Sequence, residues 1–193
     1  MVATPSTMLA LGTKAPSFSL PYSQETQTYN LRETQRKGLL IAFICNHCPY
    51  VLHLLDHFTQ SSNGWLERGI EVLTISSNDV EKYPADHPEK MSVLAHNYGF
   101  PFPYLYDASQ EVARAYRAAC TPDFFLFDKE LRLFYRGQYD ASRPGFDQPV
   151  NGENLGQAVE CLLNEDSAPQ NQVASLGCNI KWKPGNEPTY FSC

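Results

Sequence analysis

The sequence predicts an α/β fold: a central mixed β-sheet flanked by helices, with an N-terminal hairpin. Three observations carry this. Apolar runs of strand length alternate with segments whose apolar residues recur at helical spacing. One run, Leu39 to Ile44, is apolar throughout, as a strand buried on both faces requires. Near the end, Asp123 to Phe127 and Leu131 to Gly137 are joined by a short polar turn, Asp128-Lys129-Glu130, which reads as an antiparallel hairpin.

Taken in order, residues 1 to 16 read as a flexible lead ending in Lys14-Ala15-Pro16. Phe18 to Tyr22 and Thr28 to Leu31 form the N-terminal hairpin around Ser23-Gln24-Glu25. Leu39 to Ile44 is the central strand. Val51, Leu52, Leu54, Leu55 and Phe58 then fall on one stripe of a helix. Pro49 suits only its first turn, where the missing N–H has no partner to lose. The helix therefore starts between Cys45 and Cys48 and runs to Ser62, with Asn63-Gly64 as its stop.

Ile70 to Ser77 is the next strand, and Asn78 to His87 is polar and loop-like. Pro88 opens a second helix with the stripe Met91, Leu94, Ala95 and Tyr98, ended by Gly99 and Pro101. Pro103 to Tyr106 is a short strand. Asp107 and Ser109 are N-cap candidates for a third helix with the stripe Val112, Ala115, Tyr116 and Ala119. Cys120-Thr121-Pro122 breaks the chain before the closing hairpin. A Pro-, Gly- and Asp-rich loop spans Gln138 to Gly152. A last helix carries Leu155, Ala158, Val159, Leu162 and Leu163. Residues 1–163 make one domain, and 164–193 form a polar tail without a clear period that packs on it.

The formal net charge is -6, from 15 Lys plus Arg against 21 Asp plus Glu. That disfavours nucleic acid and anionic membranes as partners, since both want a basic face. No apolar stretch approaches a membrane span, and Met1 to Ala10 lacks the charged and apolar regions of a signal peptide. The expectation is a soluble cytoplasmic protein.

The chemistry lies in Cys45-Asn46-His47-Cys48, where the central strand gives way to the helix. A thiol at a helix N-terminus meets unpaired N–H groups and the positive end of the dipole, both of which favour thiolate. Cys45 is expected at the exposed tip with a lowered pKa, and Cys48 one turn in and more shielded. Two cysteines at this spacing also serve zinc, but a structural zinc site needs a second C-x-x-C or a His pair, and no second C-x-x-C occurs. Haem attachment needs His after the second Cys, where Pro49 stands. A redox pair remains, with no cofactor and no metal.

Other candidates carry two readings each. His47 either supports the Cys45 thiolate or points to solvent. His53 and His57 share a helix face at a spacing found in zinc sites, but read as solvated. Cys120 either approaches the redox pair or is a small apolar residue closing a helix. Cys178 is either a mobile third thiol or an inert one, in a tail anchored by Trp182. Cys161 reads as core or helix surface, and Cys193 as incidental.

The order of strand, C-x-x-C, helix, β–α insertion and Thr121-Pro122 before a hairpin resembles the thioredoxin superfamily. Within it, Gly12-Thr13-Lys14-Ala15-Pro16 with Phe18-Ser19-Leu20 is similar to the opening of the alkyl-hydroperoxide-reductase/thiol-specific-antioxidant branch. Cys45 to Val51, and Gly177-Cys178-Asn179-Ile180-Lys181-Trp182-Lys183, resemble its peroxiredoxin-like subgroup, and the resemblance spans Leu11 to Trp182. It implies the thioredoxin fold with Pro122 cis; spacing alone reads Pro122 as an ordinary strand-start proline. Two departures stand out. Ala42 occupies the place, three before Cys45, where peroxiredoxins carry a hydroxyl, and Leu39 to Ile44 lacks the buried acid of typical thioredoxins.

The expected function is thiol–disulfide exchange. Cys45 attacks a disulfide of a protein or small molecule, Cys48 resolves the mixed disulfide, and a thioredoxin or glutathione system restores the pair. The Thr121 backbone would hold the substrate's extended chain. The alternatives are a thiol peroxidase, with Arg136 as a conceivable donor to peroxide, and a thiolate copper carrier.

Overall fold

A computed structural model describes residues 3–23, 27–31 and 36–191. Gln24 and Glu25, at the centre of the expected first hairpin turn, and Cys193 lie outside the described residues. The elements in order are β1 (Ala3–Pro5), β2 (Phe18–Pro21), β3 (Thr28–Leu31), β4 (Gly38–Phe43), α1 (Pro49–Glu67) and β5 (Ile70–Ser76). A 3-10 turn (Pro84–Asp86) leads into α2 (Pro88–Tyr98), β6 (Tyr104–Tyr106), α3 (Glu111–Ala115) and β7 (Cys120–Thr121). The chain closes with β8 (Asp123–Asp128), β9 (Leu133–Gly137), α4 (Glu153–Leu163) and β10 (Leu176–Asn179).

The central sheet has the order β6-β5-β4-β8-β9 and is mixed. β4 runs parallel to β5 and antiparallel to β8, so Phe43 stands between Ile75 and Asp123. This explains the uninterrupted apolar run: every residue of β4 is buried. Leu40 and Ala42 face a core that includes Val51, Leu55 and Phe58 of α1 and Leu155 and Val159 of α4. Leu39, Ile41 and Phe43 face a second core holding Phe18, Tyr116 and Phe125.

Several expectations are corrected. α1 continues through Asn63-Gly64 to Glu67 and is capped at Arg68, because Trp65 is a further core anchor of its stripe. α3 ends at Ala115, which is exposed; the chain turns at Arg117, whose φ is 52°, and reaches Tyr116 and Ala119 into the core without helix. Gln110 is its N-cap, while Asp107 accepts from the Ala113 N–H and Ser109 from that of Glu111. The closing hairpin's second strand begins at Leu133, since Asp128 gathers the Glu130 and Arg132 N–H groups into a wider turn.

From residue 3 on the lead is ordered: Ala3–Pro5 is a strand, and Gly12 and Ala15 bond to the Leu133 and Leu131 carbonyls. The C-terminal segment forms β10, which lies between β1 and β7 in a separate three-stranded sheet. Ile180 and Trp182 then enter the second core. His53 and His57 are half-buried rather than solvated. His53 Nε2 lies 3.1 Å from Ser142 Oγ, and His57 Nδ1 lies 2.6 Å from the Tyr139 hydroxyl, so both tie α1 to the loop before α4. Among the described residues no helix is long and apolar enough to cross a membrane.

Candidate active site

α1 begins at Pro49, so its N-cap is Cys48, with extended φ/ψ of -72° and 120°. Cys45 lies three residues upstream, at the end of the chain leaving β4. Both are buried, Cys45 at 1% exposure and Cys48 at 0%. The expected exposed tip at Cys45 is therefore corrected: Cys48 stands at the positive end of the helix, and Cys45 sits under the side chains around it.

The Thr121–Pro122 bond is cis. It turns Thr121 toward the cysteines. The Thr121 hydroxyl lies 3.4 Å from Cys45 Sγ, and its carbonyl oxygen accepts from Cys48 Sγ at 3.0 Å. On its other flank Thr121 is paired with Cys178 in the β7–β10 ladder. That ladder carries Cys178 Sγ to 2.9 Å from Cys48 Sγ, with Cys178 2% exposed. Cys178 is thus a strand residue against Cys48, in a segment whose composition shows no regular period. It also occupies the strand edge at Thr121 that was expected to hold substrate. Gly177 makes this approach possible, because a Cβ there would stand 2.0 Å from the Thr121 carbonyl oxygen.

Cys120 alternates to the face opposite Thr121. It is buried, lies 3.5 Å from the Pro122 carbonyl, and burial raises its pKa. It belongs to β7 and does not close α3. Cys161 is half-buried on α4, away from these sulfurs.

Asp86 is the residue that sequence reading missed. It sits fully buried in the 3-10 turn, inside a segment whose polarity reads as loop. Its Oδ1 accepts from the Asn46 N–H at 2.8 Å, and its Oδ2 from Asn78 Nδ2 at 2.8 Å. His47 Nδ1 lies 2.9 Å from the same Oδ2, and the His47 ring stacks on Tyr83 at 5.8 Å. Tyr104 and the Ala85 carbonyl hold the Asn46 side chain. The one local signal was a carboxylate between Pro84 and Pro88, two residues that stiffen the turn.

His47 therefore faces Asp86, and that hydrogen bond raises its pKa against the lowering effect of burial. A His with a raised folded pKa adds stability below its unfolded pKa of about 6.5, and that stability is lost as pH rises through the folded value. Asp86→Asn should bring the His47 pKa back toward the ordinary value and flatten stability across that window. Imidazole NMR titration and urea midpoints at several pH values measure both.

The three sulfurs do not carry charge equally. Cys48 is the one that both others touch. Hydrogen bonds from Cys178, then from Cys45, lower its pKa against the opposing effect of burial. Cys45 moves the other way: its hydrogen bond to Cys48, then burial, then the Asp86 carboxylate raise it. Cys178 is raised by its hydrogen bond to Cys48 and by burial. The direction at Cys45 is thus opposite to the lowering expected there. The cause is position: Cys45 lies before the helix and beside a carboxylate.

Cys45, His47 and Asp86 also present ligand atoms within 4.8 Å of one another. The His47 and Asp86 members of this set are paired with each other, so the arrangement serves the thiol before it serves an ion.

The match to the AhpC/TSA family model covers residues 11–136. A solved structure of an uncharacterized conserved protein from Geobacillus kaustophilus is 45% identical, with a TM-score of 0.93 over 96% of this chain and 98% of that one. Thiol-disulfide oxidoreductase ResA of Geobacillus thermodenitrificans is 26% identical over 130 residues, 67% of this chain and 70% of that protein. A thioredoxin-family thiol:disulfide interchange protein from Chlorobium tepidum is 17% identical with a TM-score of 0.61, over 81% of this chain and 99% of that one; it shares the thioredoxin fold. With a buried C-x-x-C at the head of α1, a cis-proline loop beside it and a family match over most of its length, the chain belongs to the AhpC/TSA family.

Proposed function

We propose that the chain is a thiol–disulfide oxidoreductase that exchanges a Cys45–Cys48 dithiol with disulfides of proteins or small molecules. The observation that carries the reading is the buried Cys45 and Cys48 pair at the head of α1, both touching Thr121 beside its cis bond to Pro122. Similarity to the ResA oxidoreductase supports it.

The geometry suggests the order of events. Cys48, whose pKa the neighbouring thiols of Cys178 and Cys45 lower, acts as the base for Cys45: the Cys45 proton passes to Cys48 Sγ as Cys45 Sγ attacks the substrate disulfide. One substrate sulfur leaves as thiolate and takes that proton from Cys48, which is thiolate again. Cys48 then attacks Cys45 Sγ, the second substrate sulfur leaves, and the Cys45–Cys48 bond closes. This supplies the base that β4, with no acid in it, lacks. A thiol reductant of the thioredoxin or glutathione class returns the pair to dithiol, and the proposal places the chain in a reducing, cytoplasmic compartment. The strand edge at Thr121 is taken by β10, so the reading favours substrates that offer an exposed disulfide over those that add a strand.

Cys48→Ser should hold a mixed disulfide between Cys45 and a chain of insulin, the probe disulfide protein, and both Cys48→Ser and Cys45→Ser should reduce insulin at no more than the uncatalysed rate. Mass spectrometry of the trapped adduct and insulin turnover read this. A wild-type protein that reduces neither insulin nor oxidised glutathione would overturn it.

One observation favours a second reading as peroxidase. The Thr121 hydroxyl stands 3.4 Å from Cys45 Sγ, where the hydroxyl missing at Ala42 would be useful. Against it, Arg136 is fully buried with Asp123 and does not reach the sulfurs as a peroxide donor. Hydrogen peroxide turnover that equals or exceeds insulin turnover, and that Thr121→Val removes, would favour this second reading.

A further inference from the structure

We propose that Cys178 is a third redox cysteine, and that the disulfide of the oxidised protein moves between Cys45–Cys48 and Cys48–Cys178. This rests on the thiol–disulfide reading above and extends it to a residue 130 positions from its partner in the chain.

Three observations carry it. Cys178 Sγ lies 2.9 Å from Cys48 Sγ, and Cys45, three residues before Cys48, shares Thr121 with it. Cys48 is therefore a shared centre with a thiol on either side. The approach is built into the backbone: Cys178 is opposite Thr121 in the β7–β10 ladder, and Gly177 lets the two strands close to a distance no side chain would permit. All three sulfurs are buried, so exchange within the set is screened from thiols in solution.

The step balances without a co-reactant. Starting from the Cys45–Cys48 disulfide, Cys178 Sγ attacks Cys48 Sγ. The Cys48–Cys178 bond forms, the Cys45–Cys48 bond breaks, and Cys45 Sγ leaves with the electron pair. The proton of Cys178 ends on Cys45. Cys178 is oxidised and Cys45 reduced, so the oxidation state of the protein as a whole is unchanged. The result is an oxidised protein in which Cys45 is again a thiol. In that isomer Cys48 is occupied, so a disulfide attacked by Cys45 stays attached until Cys48 is released.

The experiment is a non-reducing peptide map of the full chain after oxidation with oxidised glutathione and rapid alkylation. Trypsin combined with a glutamate-specific protease cuts at Glu165 and separates Cys161 from Cys178. Wild-type protein should yield Cys48 linked to Cys45 in some chains and to Cys178 in others, with Cys45 alkylated in the latter. Cys45→Ser should give the Cys48–Cys178 link alone, within one chain. Cys178→Ser should lose the alkylated Cys45 fraction from the oxidised protein. Overturning results are a Cys45→Ser protein that leaves Cys48 glutathionylated beside an alkylated Cys178, and a wild-type map with no Cys48–Cys178 link. The wild-type map also stands without any substitution, should Cys45→Ser fail to fold. A wild type that forms no Cys45–Cys48 bond at all would instead bring down the proposed function.

Discussion

Gly177→Ala should detach β10 from β7 and destabilise the protein by about 3 kcal/mol, the upper end of what overpacking usually costs. The new Cβ would stand 2.0 Å from the Thr121 carbonyl oxygen and 2.6 Å from its carbon. Both are backbone atoms of a loop held on its other side by Cys48 and Thr121's neighbours, so no rotamer change relieves the clash. The strands must separate, and Cys178 then leaves Cys48. The urea midpoint should fall, and Cys178 should alkylate readily in reduced, folded protein, where it is otherwise 2% exposed. Gly156 is the control. It lies in α4 with nothing within 4 Å of a Cβ, so Gly156→Ala should stabilise by up to about 1 kcal/mol through helix propensity. Equal midpoints for the two variants would show that the close approach at Gly177 is not needed.

Arg136→Met should cost about 3–5 kcal/mol, as removal of one partner from a buried ion pair does. Arg136 Nη2 lies 3.1 Å from Asp123 Oδ2, and both side chains are fully buried. The guanidinium also bonds the Arg117 carbonyl and lies over the Phe125 ring at 4.3 Å. Asp123 directly follows cis-Pro122, so an uncompensated charge there loosens the loop that lines the cysteines. The pH dependence has a definite sign. Burial raises the Asp123 pKa and Arg136 lowers it, with burial the larger effect. Without Arg136 it rises further, and protonation then relieves the buried charge. The Arg136→Met deficit, read from urea midpoints, should therefore shrink as pH is lowered. Asp123→Asn combined with Arg136→Met should recover part of the loss at neutral pH. A deficit that is constant with pH would mean the pair's charge is not what is lost.

Much of the fold was legible because its signals are local. Six consecutive buried residues in β4 read as a two-faced strand, and the stripe from Val51 to Phe58 read as a helix packed on it. Errors fell where a local signal met a tertiary partner. Asn63-Gly64 looks like a helix stop, but Trp65 buries one turn further and carries the helix past it. His53 and His57 look solvated on a helical wheel, but the loop around Tyr139 and Ser142 covers that face.

For the site, the sequence by itself put Cys45 and Cys48 at the head of a helix and, through resemblance, implied the cis-proline loop. These depend on neighbours within a few residues. Only the tertiary structure decided that Asp86 faces His47 and that Cys178 lies against Cys48. Asp86 meets Asn46 across 40 residues, and Cys178 meets Cys48 across 130. A polar four-residue strand such as β10 has no periodicity to announce it, and a buried carboxylate in a turn looks like any loop acid. What places both is the ladder between β7 and β10 and the packing of the 3-10 turn on the strand ends. Closing such long loops costs little more than closing short ones, so separation in sequence carries no information about contact.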